Sequence, residues 1–162
     1  MDPDPPNVSG ATRPIRRKPV HGVFTIQGNP TLVFVTVCTR NRDPWLANTR
    51  YQHALFNIWH VEATAWRVGH YILMPDHLHF IAGQAEPGCT LEKWMRFWKR
   101  RFIQVTGLPA RSVQENHWDV RLRTAKHYEE KWRYMVLNPV RKKLVVEPEE
   151  WPFTGVVHEL SW

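Results

Sequence analysis

Two histidines separated by a single residue, His77 and His79, follow the turn signal Pro75-Asp76. Residues two apart in a β-strand project from the same face, so both imidazoles are expected together while Leu78 enters the core. Imidazole is a common ligand of divalent metals, and two imidazoles supply part of an open metal site. The pattern alone also fits two hydrogen-bonded histidines with no metal.

A second pair of chemically useful side chains, Tyr134 and Asn138, lies four residues apart near the end of a predicted helix. Side chains four apart in a helix share a face, so a phenol and an amide oxygen are expected to approach the same ligand. The alternative is that Tyr134 packs in the core and Asn138 caps the helix before Pro139.

The elements that must position these groups alternate between strand and helix. Proline with aspartate between two apolar runs predicts a hairpin, and Thr90 is a predicted N-cap. The predicted elements are a strand at 31–39, a helix at about 49–67 that Gly69 ends, strands at 70–74 and 78–82, a helix at about 90–105, a partly extended stretch at 111–123 and a helix at about 124–137. This order predicts an α+β fold, a ferredoxin-like (RRM-like) antiparallel sheet with helices packed on it.

Composition divides the chain into three parts. Residues 1–30 are rich in proline and carry the basic cluster at 13–18, which predicts a flexible arm. Residues 31–147 are predicted to form one folded domain, and residues 148–162 a tryptophan-bearing C-terminal tail. No apolar run approaches the roughly 18 residues that a membrane span needs, and no secretory signal is recognised, so a cytoplasmic protein without a membrane partner is expected.

The charge balance favours a polyanionic partner. Lysine and arginine number 22 against 15 acidic residues, and the chain has nine tryptophans. Basic surfaces attract nucleic acids and exposed indoles stack on unpaired bases, so Trp94, Trp98 and Trp118 are candidates for stacking. The predicted phosphate contacts are Lys93, Arg96, Lys99, Arg100, Arg101, Arg121, Arg123 and Lys126. Each of them is individually compatible with an ordinary surface charge.

The motifs taken together resemble a known family. Residues 71–80, YILMPDHLHF, resemble the MPNHxH signature of single-tyrosine HUH transposases, and residues 134–141, YMVLNPVR, resemble the YIxxNPVR segment of their REP-associated branch. Residues 34–40, 114–123 and 149–152 resemble three further blocks of that branch. The chain departs from the family pattern at Val113, Val120 and Lys142-Lys143, and none of these changes removes a catalytic group.

The resemblance implies a mechanism. Tyr134 would be the nucleophile that attacks single-stranded DNA and forms a 5′-phosphotyrosine, with Lys131 and Arg133 as nearby cations. His77, His79 and Asn138 would hold a divalent metal, Mg²⁺ or Mn²⁺. The implied partner is single-stranded or hairpin DNA, and the implied assembly is a monomer or a homodimer. Two alternatives stay open: a catalytically silent hairpin-binding regulator, and a metallohydrolase in which activated water attacks.

Overall fold

The computed structural model describes residues 31–160, built around one five-stranded antiparallel sheet. The predicted arm at 1–30 lies outside the described residues. The strands are β1 (Leu32–Cys38), β2 (Trp66–Leu73), β3 (His77–Gln84), β4 (Trp118–Leu122) and β5 (Thr154–Val156), in the order β4-β1-β3-β2-β5. The order of the first four strands is the ferredoxin-like arrangement, which confirms the predicted fold class. β3, which carries the paired histidines, is the central strand.

Two helices cover one face of the sheet. These are α1 (Thr49–Asn57), which continues as a π-helical turn at Ile58–Glu62, and α2 (Leu91–Thr106). Their buried aromatic side chains meet Phe80 of β3: ring centroids lie 5.4 Å from Trp59, 5.8 Å from Trp94 and 6.0 Å from Trp98. Large aromatic side chains dominate the hydrophobic free energy of a core, so this layer anchors the fold.

A smaller layer covers the opposite face. α3 (Ala125–Val136) starts at the N-cap Thr124, whose hydroxyl accepts from the amide of His127, and buries Met135 against the sheet. The short helix α4 (Asn138–Arg141) follows directly. α3 follows β4 closely and packs on β2 and β4, so its C-terminal end, with Tyr134, lies over the paired histidines of β3.

The predicted helix at 49–67 is too long. The helical segment ends at Glu62. The amide of the next residue, Ala63, donates to the carbonyl of Ile58, and Trp66 is already the first residue of β2. Trp66 is buried beside α2, so its apolar character matched the helical period although a strand carries it. Gly69 lies inside β2 and does not end a helix; a Cβ there would lie 2.6 Å from the Leu160 side chain.

The predicted hairpin and the N-cap at Thr90 are confirmed. β2 and β3 pair on either side of Pro75-Asp76, and the Thr90 hydroxyl accepts from the amide of Lys93. The segment predicted as a C-terminal tail contributes β5, which pairs with the outer edge of β2. The indole of Trp151 donates to the carbonyl of Leu73 at 2.9 Å, which fixes this segment to the end of the hairpin. In residues 31–160 there is no helix with the length and apolar character required to traverse a bilayer.

Candidate active site

β3 places its two histidines on the α3 face of the sheet. His77 and His79 are both 4% exposed and their ring centroids lie 4.7 Å apart, whereas Leu78 and Phe80 point into the α1–α2 layer. The predicted alternation is therefore correct. Both faces of the central strand are covered, so the imidazoles are buried instead of projecting into open solvent.

The outer nitrogen of each imidazole is engaged by a neighbour. His77 Nδ1 lies 2.6 Å from the Asp76 carboxylate, whose second oxygen lies 2.9 Å from Nε of Arg42. His79 Nδ1 lies 2.8 Å from the hydroxyl of Thr36 on β1. A proton on each Nδ1 satisfies these contacts and leaves the Nε2 lone pairs as acceptors. This is the usual support of histidine metal ligands, in which a second group fixes the tautomer.

Asn138 closes the group from the opposite side. Its side-chain Nδ2 lies 3.3 Å from Nε2 of His77 and 2.9 Å from Nε2 of His79. Asn138 is 3% exposed. The expectation that it shares one helix with Tyr134 is wrong, since α3 ends at Val136 and Asn138 is the first residue of the short helix α4. Leu137 keeps near-helical angles (φ −82°, ψ −4°), so both side chains still reach the same region.

These three side chains fit a divalent cation. Bonds of about 2.1 Å at right angles would separate neighbouring ligand atoms by about 3 Å, close to the separations around Asn138. The amide oxygen and nitrogen are alike in shape, and rotation of the amide would direct its oxygen to the two Nε2 atoms. Within residues 31–160 no group of three histidine, cysteine or acidic side chains is placed to hold a metal. The third protein ligand would therefore be the amide.

Burial favours the neutral form of both imidazoles. It lowers the pKa of His79 to about 2, and the neighbouring cations Arg141, Arg42 and Lys131 act in the same direction. Burial also lowers the pKa of His77, with Asp76 opposing that shift. Neutral imidazole is the form that binds metals.

Tyr134 is the exposed tyrosine beside this group. It is 43% exposed, and its ring centroid lies 5.5 Å from that of His79 and 6.1 Å from that of Phe34. The guanidinium of Arg141 lies over the ring at 4.1 Å and Lys131 Nζ lies 5.8 Å from the ring centroid. Of the two predicted neighbouring cations, Lys131 contacts the ring, and Arg133 is an exposed residue of α3. The arrangement presents an accessible phenol next to buried metal-type ligands within a positively charged rim.

The predicted phosphate contacts are spread over the molecule. The α2 members lie on the helix layer opposite the site, and Arg121 pairs with the α1–α2-facing Val33. Lys93, Arg96, Arg100, Arg123 and Lys126 are exposed, whereas Arg101 contacts Glu62 at 2.5 Å. The exposed residues of this set are available to contact DNA away from the candidate active site.

Lys99 does not fit its predicted role as a phosphate contact. It is 8% exposed, and its ammonium donates to the carbonyls of Gln114 and Glu115, each at 2.9 Å. A side chain committed to holding the 114–116 loop is not available to contact a phosphate. Of the predicted stacking residues, Trp94 and Trp98 are buried in the core at 2% and 0% exposure, whereas Trp118 is 42% exposed.

Three contributors to the site were missed in the sequence: Thr36, Arg42 and Arg141. Asp76 was predicted as a turn residue beside the histidine pair, without a role as partner of His77, and Arg141 stands inside the NPVR segment, which was an available signal. Thr36 and Arg42 reach the site through strand pairing and a turn with left-handed angles at Asn41 and Arg42. Neither relationship is visible in the linear spacing.

A cleft of about 740 Å³ lies between α2 and the 110–119 segment. Its wall combines Arg96, Arg100 and Arg111 with Glu92, Glu115 and Asp119, so its charge is mixed. The metal-type ligands His77, His79 and Asn138 are not among its lining residues. The cleft is therefore distinct from the group of metal-type ligands, although Trp118 at the start of β4 is among its lining residues.

Comparison with known proteins supports a transposase relationship. No family model matches the chain. The chain is 30% identical over 127 residues to the REP-associated tyrosine transposase of Escherichia coli (strain K12), covering 75% of this chain and 73% of that protein. Its fold is similar to a solved structure of a REP-associated tyrosine transposase bound to a REP hairpin, with a TM-score of 0.67, 24% identity, and coverage of 93% of this chain and 96% of the other. With this relative and the His77–His79, Asn138 and Tyr134 arrangement, the chain belongs to the family of REP-associated tyrosine transposases.

Proposed function

We propose that this protein cleaves and rejoins single-stranded DNA beside a hairpin, with Tyr134 as the nucleophile and a divalent metal held by His77, His79 and Asn138. The observation that carries the proposal is the convergence of the two Nε2 atoms on the Asn138 amide, next to an exposed tyrosine. Buried imidazoles that share one amide and face a phenol are difficult to explain as packing alone.

The reaction starts with attack of the Tyr134 phenol oxygen on the phosphorus of a phosphodiester. The new bond joins Tyr134 to the 5′-phosphate, and the bond to the preceding 3′-oxygen breaks and leaves a 3′-hydroxyl. The phenol proton is released to solvent and the leaving oxygen gains one. Because the phosphotyrosine is itself a phosphodiester, another 3′-hydroxyl can reverse the step and join strands without a nucleotide cofactor.

The side chains of the site supply positioning and charge. The metal, Mg²⁺ or Mn²⁺, would offset the negative charge that develops on the phosphate oxygens. Arg141 and Lys131 place positive charge beside the Tyr134 ring, where the scissile phosphate must lie. Asp76 and Thr36 hold the imidazoles in the orientation that directs both Nε2 atoms inward.

Hairpin DNA is proposed as the substrate because a relative of the same fold was solved with a REP hairpin. The exposed predicted contacts on α2, together with Arg123 and Lys126, would hold the DNA backbone away from the reacting phosphate. A monomer or a homodimer, acting in the cytoplasm, remains the expectation from the sequence.

The most useful test is a cleavage assay with hairpin oligonucleotides taken from repeats that flank the protein's own gene. End-labelled strands are incubated with Mn²⁺, Mg²⁺ or a chelator, and products are separated under denaturing conditions. Metal-dependent cleavage with a protein–DNA adduct that Tyr134→Phe abolishes supports the proposal. Cleavage without an adduct would favour activated water, and tight binding without cleavage would favour a silent hairpin-binding regulator.

A further inference from the structure

Trp118 lies at the start of the edge strand β4 and is 42% exposed. We propose that its indole stacks on an unpaired base next to the scissile phosphate and so helps to select the cleavage position. This inference rests on the proposed function, since it names the part of the DNA that a residue outside the metal-ligand set would recognise.

Strand pairing places Trp118 in one row with the metal-ligand face. Thr36 pairs with His79 of β3 on one side and with Trp118 of β4 on the other. Directly paired residues project from the same face of a sheet. The 2.8 Å contact between the Thr36 hydroxyl and His79 Nδ1 identifies that face as the one that carries the active site.

The spacing suits a neighbouring nucleotide. Adjacent strands lie about 4.8 Å apart, so two strand intervals separate His79 from Trp118 by about 10 Å. That span is within reach of a base attached next to a phosphate held at the histidines. The far end of β4 is closed by Leu122, which is buried against the core, so the exposed indole stands at the open end of the strand.

The chemistry of the side chain favours an unpaired base. An indole offers a broad flat surface on which any base can stack, and such contacts are a main source of affinity for single-stranded nucleic acid. Trp132 of α3 provides a matched comparison, since it is 38% exposed but lies against His70 of β2, with a ring-centroid distance of 6.0 Å. Because its exposure is similar but its position differs, Trp132 separates a general effect of losing an exposed indole from an effect specific to Trp118.

The experiment uses the Tyr134→Phe chain, so that the DNA stays intact during binding. Hairpins from the flanking repeats carry 2-aminopurine at successive positions of the single-stranded flank, and a hairpin without a flank serves as the reference. We expect fluorescence quenching at one or two adjacent positions. Trp118→Ala should remove that quenching and weaken binding of the flanked hairpin roughly five- to hundredfold, the range of one stacked base. Binding of the flank-free hairpin should be unchanged.

Control variants make the result specific. Trp118→Phe should keep part of the quenching because the phenyl ring still stacks, and Trp132→Ala should behave like the parent chain. The inference is overturned if Trp118→Ala leaves the quenching intact, or if it weakens flanked and flank-free hairpins equally, as a contact to the stem or to another protein would. Adduct formation by the chain with Tyr134 intact is measured separately. If the adduct forms but Trp118→Ala changes neither the quenching nor the affinity for the flanked hairpin, this inference alone is contradicted. If the chain binds no hairpin at all, both proposals are contradicted.

Discussion

The guanidinium of Arg141 lies 4.1 Å from the centre of the Tyr134 ring and donates from Nη2 to the backbone carbonyl of Tyr134 at 2.7 Å. One side chain therefore holds both the ring and the main chain of the proposed nucleophile. The other ring neighbours of Tyr134 are Phe34, His79 and Lys131, and the side chain is still 43% exposed. Arg141 is positioned to fix the direction in which the phenol points.

Replacement of Arg141 should slow covalent attack more than it weakens DNA binding. For Arg141→Gln we expect the rate of adduct formation at saturating hairpin DNA to fall by roughly 10- to 100-fold, the scale of a misplaced reacting group. Arg141→Lys should recover only part of the rate, since an ammonium keeps the charge but lacks the planar stacking surface. Single-turnover assays with labelled hairpin DNA measure both quantities.

Lys143→Gln is the matched control for Arg141→Gln. It removes one positive charge from an exposed position two residues further along. A rate for Arg141→Gln equal to that of Lys143→Gln would show that Arg141 contributes only general charge, contrary to a positioning role.

Removal of the Asp76 carboxylate should weaken metal binding. Asp76 accepts from His77 Nδ1 and contacts Arg42, so its loss frees the imidazole and leaves a guanidinium beside it. We expect Asp76→Ala to raise the dissociation constant for Mn²⁺ by about 10- to 100-fold, the usual effect of losing an outer partner of a ligand. Asp76→Asn should be intermediate, because an amide oxygen still accepts the hydrogen bond. Titration of free Mn²⁺ by electron paramagnetic resonance measures the constants directly.

Two further variants serve as controls for the Mn²⁺ titration. Thr36→Val removes the corresponding partner of His79 and should also weaken Mn²⁺ binding. Asp43→Asn removes an exposed carboxylate next to Arg42, in the loop between β1 and α1, and should not weaken Mn²⁺ binding. Unchanged Mn²⁺ affinity in Asp76→Ala, with an unchanged melting temperature, would contradict the assignment of Asp76 as a positioning residue.

The buried ammonium of Lys99 should make stability depend on alkaline pH. Burial lowers the pKa of Lys99 from 10.5 to about 8, so between these values the unfolded chain holds a proton that the folded chain has released. The contribution of Lys99 to the free energy of unfolding therefore rises as the pH increases from about 8 to 10.5, by at most about 1.4 kcal/mol per pH unit.

Lys99→Met isolates that contribution. At pH 7 the variant should be less stable by about 1–3 kcal/mol, because carbonyls of the 114–116 loop lose their buried donor. The amount by which its free energy of unfolding falls below that of the natural chain should grow between pH 8 and 10.5. Urea unfolding at each pH measures this deficit. A deficit that stays constant or shrinks over this interval would contradict the lowered pKa.

Local patterns predicted most of the fold because they reflect local physics. Alternation placed His77 and His79 on one face, proline chemistry placed the hairpin, and Thr90 capped α2. The pattern failed at Trp66, where an apolar residue satisfied the helical period although the chain had already turned into a strand. It failed again at Lys99, because a lysine at helical spacing looks exposed unless the loop that covers it is known.

The candidate site also combines residues that local motifs predict with residues that only the folded structure brings into place. His77, His79, Tyr134 and Asn138 were recognised through motifs, and the structure brings them together. Thr36 belongs to a strand more than forty residues away, and only the register between β1 and β3 places its hydroxyl beside His79. Long-range pairing of this kind cannot be deduced from spacing in a single chain.

The most direct test of the proposed chemistry is to identify the residue that becomes attached to DNA. The chain has four tyrosines, and of these Tyr51, Tyr71 and Tyr128 are buried or half-buried while Tyr134 is exposed. Adduct formed with a flanked hairpin and Mn²⁺ is digested with nuclease and trypsin, and the modified peptide is sequenced by mass spectrometry. The proposed mechanism predicts a nucleotide linked through phosphate to Tyr134, and none when His77 and His79 are both replaced by alanine. A nucleotide on another residue, or an adduct that persists in Tyr134→Phe, would contradict it.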